Sequence, residues 1–182
     1  MFSSKHLTVG VALLALAVLP GTAPPAKPHS ASPTPPLEAA PARPLPVTSL
    51  VIDSDHGPIR FQVEVAADQP SQELGLMYRK YLAPNAGMLF DFHQPQCERF
   101  WMKNTILPLD IIFVRADGSI SSVAADAVPF STTTISAAEP VRAVIEINGG
   151  RSAALGIVPG DQVHAAIFNT KQPKDAPLMV CP

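Results

Sequence analysis

The chain has little of what usually marks chemistry in a sequence. Its 182 residues hold two cysteines, Cys97 and Cys181. Neither belongs to a CxxC pair, which argues against dithiol redox work and thiolate zinc binding. There is no basic block, and the formal net charge is -2. The chain therefore lacks the positive surface that grips a phosphate backbone, and no nucleic-acid partner is expected. Nor is it acidic enough to be a solvating tail. No apolar run reaches the ~20 residues that span a bilayer as a helix. No G-x-S-x-G, P-loop or H-E-x-x-H occurs, so no catalytic motif names a reaction. There is no internal repeat, which excludes a solenoid.

What is present begins with an address. Lys5 and His6 precede an apolar run from Leu7 to Leu19, then Pro20, Gly21, Thr22 and Ala23. A basic start, a short apolar centre and a small-residue exit read as a secretory signal peptide over residues 1–23. The alternative is an uncleaved anchor, the one route to membrane contact. Pro24 directly after Ala23 leaves the cleavage position open. No cysteine follows the apolar run, so a lipid anchor is not expected. Residues 24–47 are rich in Pro and Ala, with prolines at 24, 25, 28, 33, 35, 36, 41, 44 and 46. That composition has almost nothing to bury and reads as an extended spacer. The protein is expected to be exported, to the periplasm or beyond.

One domain is expected over residues 48–169, followed by a flexible tail, 170–182. Leu50, Val51 and Ile52 make a short strand. Ile59, Phe61, Val63 and Val65 alternate with Arg60, Gln62 and Glu64, the period of a half-buried strand, and the two suggest a hairpin. Asp68 can cap a helix with Pro70 in its first turn and Leu74, Leu76 and Met77 on one side. Phe100–Lys103 and Leu109–Val114 read as strands, the second apolar on both faces and so central. Asp117-Gly118 predicts a tight turn back into Ile120–Val123. Residues 128–140 read as a surface loop. Val141–Ile147 is a strand, Arg151–Leu155 a short helix and Val163–Phe168 a last strand. Hairpin-scale connections dominate and βαβ spacing is absent. The fold class expected is α+β, mainly antiparallel β, with a small barrel-like or strongly curved sheet and one or two short helices. Cys97 and Cys181 could form one disulfide or remain separate thiols; sequence cannot place two sulfurs within bonding distance.

Four segments stand out: Gly75-Leu76-Met77-Tyr78-Arg79, Gly87-Met88-Leu89-Phe90, Phe100-Trp101-Met102-Lys103-Asn104-Thr105 and Pro108-Leu109-Asp110-Ile111-Ile112-Phe113. With Val144-Ile145-Glu146 and Gly149-Gly150, their order and spacing closely resemble an uncharacterised family known as domain of unknown function number 192. The resemblance runs from near Val51 to near Phe168. It implies a small β-rich fold with helical excursions, often exported, and no activity. Members commonly carry an arginine shortly before the Gly-Leu-Met segment. Here that stretch is Ser71-Gln72-Glu73-Leu74, so no role of that arginine transfers.

Several side chains then become candidates. In a strand, Trp101 and Lys103 share one face and Phe100 and Met102 the other. An aromatic plane beside a cation suits a polar or sugar-like ligand; equally, Trp101 could be packing and Lys103 a snorkelling edge. Asp110 stands among apolar residues and needs a donor, with Lys103, Arg79 and Asn104 as possibilities. It is either a structural carboxylate, in an ion pair or capping turn amides, or a ligand acceptor or general base. Glu146 faces away from Ile145 and Ile147. If its strand neighbours that of Asp110, two carboxylates share a cleft and could perform acid/base hydrolysis. His56, His93 and His164 read as surface residues. Asp91 and His93 share a face, but two ligands make no metal site. The reading is an exported, monomeric domain without metal or cofactor. Its cleft, framed by Trp101, Lys103, Asn104, Asp110 and Glu146 with Arg79 beside them, binds a small polar ligand or glycan. The alternatives are a hydrolase using Asp110 and Glu146, or an extracytoplasmic protein-interaction domain marked by an exposed apolar patch.

Overall fold

A computed structural model describes residues 44–168 and Cys181. The proposed signal peptide, most of the spacer and the tail apart from Cys181 lie outside the described residues. Strands β1 (Val47–Ser54) and β2 (Gly57–Ala66) form the expected hairpin, in register from Val47 opposite Glu64 to Ser54 opposite Gly57. The short helix α1 (Gln69–Leu74) follows. Asp68 caps it by accepting from the Ser71 amide at 2.9 Å, and the Ser71 hydroxyl lies 3.3 Å from the Asp68 amide. Pro70 stands in its first turn, where no intrahelical donor is lost. The helix ends at Gly75, so Leu76 and Met77 lie beyond it.

Then come β3 (Ala86–Gln96), β4 (Arg99–Phe100), β5 (Leu109–Val114), β6 (Ile120–Ala127), β7 (Ile135–Ser136) and β8 (Val141–Asn148). Helix α2 (Arg151–Leu155), β9 (Gln162–His164) and a 3-10 turn at Ala166–Phe168 complete the order. The main sheet runs β6-β5-β8-β3-β2-β1-β9, and β4 pairs separately with β7. It curls until its two ends meet. Ser119 bridges to Gln162, and the Ile120 amide donates to the Asp161 carbonyl at 2.8 Å.

The curl gives the sheet two buried faces. Inside lie Leu50, Ile52, Phe61, Val63, Leu89, Ile112, Val114, Ala143, Ile145, Ile147 and Val163. The outer face of β3, β8 and β5 carries Met88, Phe90, Val144, Leu109, Ile111 and Phe113. Over it pack Leu76, Leu82, Met102 and Ala137, from the chain excursions between strands. Phe100 meets Phe90 and Phe113 edge-on, with centroids 5.1 and 6.1 Å apart.

Four expectations need correction. β2 and β3 pair in parallel, joined by α1 and the crossover loop 75–85, so one crossover of the βαβ type exists. A six-residue helix is too short to show a helical period. Phe100–Lys103 is not a strand. It leaves the sheet after Phe100, although burial still alternates, with Met102 inside and Trp101 and Lys103 outside. The last strand stops at His164 and continues as a 3-10 turn, and within the 128–140 loop Ile135–Ser136 forms β7.

Cys97 and Cys181 are disulfide-bonded, and the Cys181 amide donates to the Ala138 carbonyl at 3.2 Å. The tail is therefore tied at Cys181. The bridge closes a loop of 84 residues' separation around most of the sheet. A Cys97→Ser/Cys181→Ser double variant is expected to lose about 2–4 kcal/mol of stability through the freer unfolded chain. Urea unfolding checks this; an unchanged midpoint would refute it.

Candidate functional site

Register decides which candidate residues can meet. In β5, Leu109, Ile111 and Phe113 point to the outer face, so Asp110 points inward, opposite Ile147 of β8. Glu146 of β8 lies opposite Ile111 on one side and Met88 on the other, on the outer face. Asp110 and Glu146 are thus on neighbouring strands but opposite faces. The structure does not bring them into one cleft.

Asp110 is fully buried and fully used. One carboxylate oxygen accepts from the Asp126 and Gly150 amides, each at 2.9 Å; the other accepts from the Ser152 amide at 2.7 Å. It joins the start of β5, the end of β6 and the first turn of α2. None of Lys103, Arg79 or Asn104 is its donor. Bonds to three backbone amides make Asp110 a fastening of the fold.

Glu146 is the opposite case. It is 5% exposed and has no side-chain hydrogen bond or ion pair among the described residues. Its oxygens are nevertheless absent from the fully enclosed, unpartnered atoms among the described residues, which are Arg142 Nε, Arg151 Nε and Ser152 Oγ. A narrow opening to solvent therefore remains. Burial alone pushes its carboxyl from 4.5 up to about 8, because the apolar face disfavours the charged form. Gly87 lets β3 come close enough to flank it: a Cβ there would stand 2.5 Å from the Glu146 carbonyl oxygen.

A row of residues crosses the outer face in register: Glu64, Met88, Glu146, Ile111 and Ala124. Glu64, two strand spacings or roughly 10 Å from Glu146, holds Arg79 of the crossover loop through two contacts of 2.6 Å. That hydrogen bond raises the Arg79 guanidinium above its ordinary value against the opposing effect of burial. Farther along, Asn148 donates to the Leu82 and Ala83 carbonyls at 3.1 Å. The crossover loop is thus pinned at Glu64 of β2 and at Asn148 of β8.

Loop 101–108 reaches the same outer face through Met102. The Tyr78 amide donates to the Asn104 carbonyl at 2.9 Å, joining the two loops. Loop 128–134 joins as well, through Met102 N to Ser131 O at 2.9 Å and Phe130 N to Thr105 O at 3.2 Å. Tyr78, Asn104 and Phe130 all have left-handed backbone, at φ 63°, 58° and 61°. For bulky residues that conformation is costly and persists only where the surroundings enforce it. Trp101 is 49% exposed, with the Lys103 ammonium 5.1 Å from its ring centroid. Tyr78, Tyr81, Ile106, Val128 and Phe130 are exposed on the same three loops. Asn104 points inward, its amide 3.8 Å from Met77 Sδ.

Arg79, Trp101, Lys103 and Asn104 thus stand on two loops joined at Tyr78 and Asn104, Glu146 lies on the outer face of β8, and Asp110 points inward. Sequence reasoning missed Tyr78, Tyr81 and Phe130. The only available signal was two tyrosines flanking Arg79 and Lys80, a pattern too short to place. Elsewhere Asp91 is buried against Arg142. Burial pushes its carboxyl up, but the Arg142 and His93 hydrogen bonds hold it below its ordinary value. Among the described residues no three metal-ligating side chains cluster, and no helix is long and apolar enough to cross a membrane.

The profile of the uncharacterised family DUF192, described as an uncharacterized ACR, matches residues 50–165. Two solved structures are similar. A Sinorhizobium meliloti protein described as a candidate transcription regulator is 40% identical, with TM-score 0.66, over 68% of this chain and 96% of its own. A Novosphingobium aromaticivorans protein of unknown function is 42% identical, with TM-score 0.67, over 69% of this chain and 90% of its own. No curated protein matches.

Two stability predictions follow from the carboxylates. Asp110→Asn replaces one acceptor oxygen by a donor facing an amide, and should cost about 2–4 kcal/mol in urea unfolding. A loss under about 1 kcal/mol would show that the three amides do not depend on it. For Glu146 the folded value is raised, so the folded state holds a proton that the unfolded chain has released. Stability should be greatest below about 4.5 and fall as pH rises toward about 8, by about 1.4 kcal/mol per pH unit. In Glu146→Gln that slope should vanish. A variant with the same slope as the wild type would rule out Glu146 as its source.

Proposed function

The chain belongs to the family called domain of unknown function number 192, and from that premise we propose that it is an exported binding module for a small polar, saccharide-like ligand. The ligand lies on the surface formed by the crossover loop and loops 101–108 and 128–134. One observation carries this reading. The half-exposed Trp101 ring, with the Lys103 ammonium beside it, stands on loops that are cross-bonded and held in left-handed backbone. An exposed indole offers a flat apolar face to the C–H side of a sugar ring, and a neighbouring cation offers a donor to its hydroxyl or carboxylate groups. Rigid loops reduce the entropy lost on binding.

Export is part of this reading and rests on residues 1–23 and the Pro/Ala-rich spacer. Hydrolysis by an Asp110–Glu146 pair is not part of it, because the two carboxyl groups lie on opposite faces of the sheet. The regulatory role named for the Sinorhizobium meliloti protein is not carried over. A net charge of -2 without a basic block offers no phosphate-binding surface.

A protein-interaction domain remains the second reading, favoured by the exposed Tyr78, Tyr81, Trp101, Ile106, Val128 and Phe130 on adjoining loops. Such a patch is what a partner protein buries. The two readings separate on ligand size. Trp101→Ala should weaken binding of a neutral mono- or oligosaccharide by roughly tenfold or more, while changing urea stability by less than about 1 kcal/mol. Isothermal titration across a saccharide panel checks it. No binding by the wild type, or equal binding by the variant, would sink the saccharide reading.

A further inference from the structure

Among the described residues, the other buried or half-buried carboxylates of strands β2, β3, β5 and β8 have built-in partners: Asp91 has Arg142, the half-buried Glu64 has Arg79, and Asp110 has three backbone amides. Glu146 has none, although it sits at the middle of the in-register row and is 5% exposed. A buried polar group without a partner is unfavourable, by about 1–3 kcal/mol or more. Its immediate in-register neighbours, Met88 and Ile111, can offer it no hydrogen bond worth the name. Leu76 and Leu82 of the crossover loop and Met102 of loop 101–108 pack over this outer face. The crossover loop, pinned to β8 by Asn148, meets loop 101–108 through the Tyr78–Asn104 backbone bond between two left-handed residues.

We infer that the Glu146 carboxyl is the floor of a subsite beneath the joint between the crossover loop and loop 101–108, where it pairs with an uncharged hydroxyl of a polyol. This rests on the saccharide reading and deepens it: the sugar ring lies on Trp101 and one hydroxyl reaches inward to Glu146. A protonated carboxyl both donates and accepts, as a hydroxyl does, so the two can satisfy each other with two complementary bonds. A cationic ligand group would instead require ionising Glu146 in an apolar wall and desolvating both charges. At neutral pH the neutral pairing is the cheaper one, given that burial holds Glu146 protonated up to about 8.

The charged and titratable groups on the elements packed around this face are few. On β2 and the crossover loop they are the Glu64–Arg79 pair, Tyr78, Lys80 and Tyr81. On β3 and β8 they are Asp91, His93 and Arg142, bonded among themselves. On α1 there is Glu73, which accepts from Gln69. On loop 101–108 there is Lys103, over Trp101. β5 adds Asp110, on the inner face, and β6 adds Asp126 at its far end. None is bonded to Glu146.

The test uses the described protein with its disulfide intact, labelled with carbon-13 at glutamate side chains. The probes are glucose, galactose, mannose and N-acetylglucosamine. The readouts are the Glu146 carboxyl resonance, assigned by its loss in Glu146→Gln, and the Trp101 indole N–H. At least one sugar is expected to move both. Its affinity should be flat below about 8 and fall about tenfold per pH unit above it, as the donor proton is lost. Glu146→Gln keeps a neutral donor and acceptor, so it should bind within a few-fold of wild type with no such fall. If a sugar moves Trp101 but neither Glu146 nor the pH profile responds, this inference is overturned and the binding reading stands. Affinity that rises with pH would also overturn it, because it would mean that the ionised carboxylate, accepting from sugar hydroxyls, is the binding form. If no sugar moves either resonance, both proposals fail. If Glu146→Gln does not fold, the wild-type Trp101 shift and the pH profile of the affinity, neither of which needs the Glu146 assignment, decide the matter.

Discussion

Strands β5 and β8 are buried on both faces, and everything else in the molecule answers to that. The curled sheet needs an apolar inner face to fill itself, and its outer face is roofed by loops instead of open to water. Any polar side chain on these two strands must therefore find a partner within the protein or go without. Asp110 finds three backbone amides and becomes the junction between β5, β6 and α2. Arg142 finds Asp91. Glu146 finds nothing, one residue out of phase with Asp110 across the β5–β8 register.

That phase is the part of the structure that sequence could not reveal. A strand with one polar face announces its register, because a slip by one residue would expose its apolar side. This is why Ile59 to Val65 reads correctly as β2. Ile111-Ile112-Phe113-Val114 and Val144-Ile145 carry no such mark, since both faces are buried. Their identities were legible and their pairing was not, so whether Asp110 and Glu146 share a face was undetermined. Short-range chemistry was legible wherever it was local. The Asp68 cap and the helix at Arg151 follow from neighbouring residues alone. The parallel pairing of β2 with β3 and the Cys97–Cys181 bridge depend on distant parts of the chain, and so were not.

The stretch from Phe100 to Lys103 shows an intermediate case. Its alternation correctly sorts Trp101 and Lys103 outward and Met102 inward, yet it is mostly not a strand. The alternation is imposed by packing against the outer core: Phe100 meets Phe90 and Phe113, and Met102 is buried beyond it. Between those anchors the chain must turn, and at Asn104 it does so in left-handed backbone. The same anchoring holds Tyr78 and Phe130 in conformations that free loops would abandon. The exposed aromatics are therefore presented by backbone that the core has already fixed.

These facts bear on why a glutamate stands at position 146. Its register neighbours are Met88 and Ile111, and an apolar residue of similar volume would suit that wall. Replacing unpaired buried polar groups by packed apolar ones is commonly neutral or stabilising. Fold stability alone therefore gives no reason for Glu146, whereas it fully explains Asp110. The satisfied carboxylate ties β5, β6 and α2 together, whereas burial of the unpartnered one disfavours its charged form. On the proposed reading, the cost that the fold carries at Glu146 is offset from outside the folded chain, by the ligand hydroxyl that meets its carboxyl.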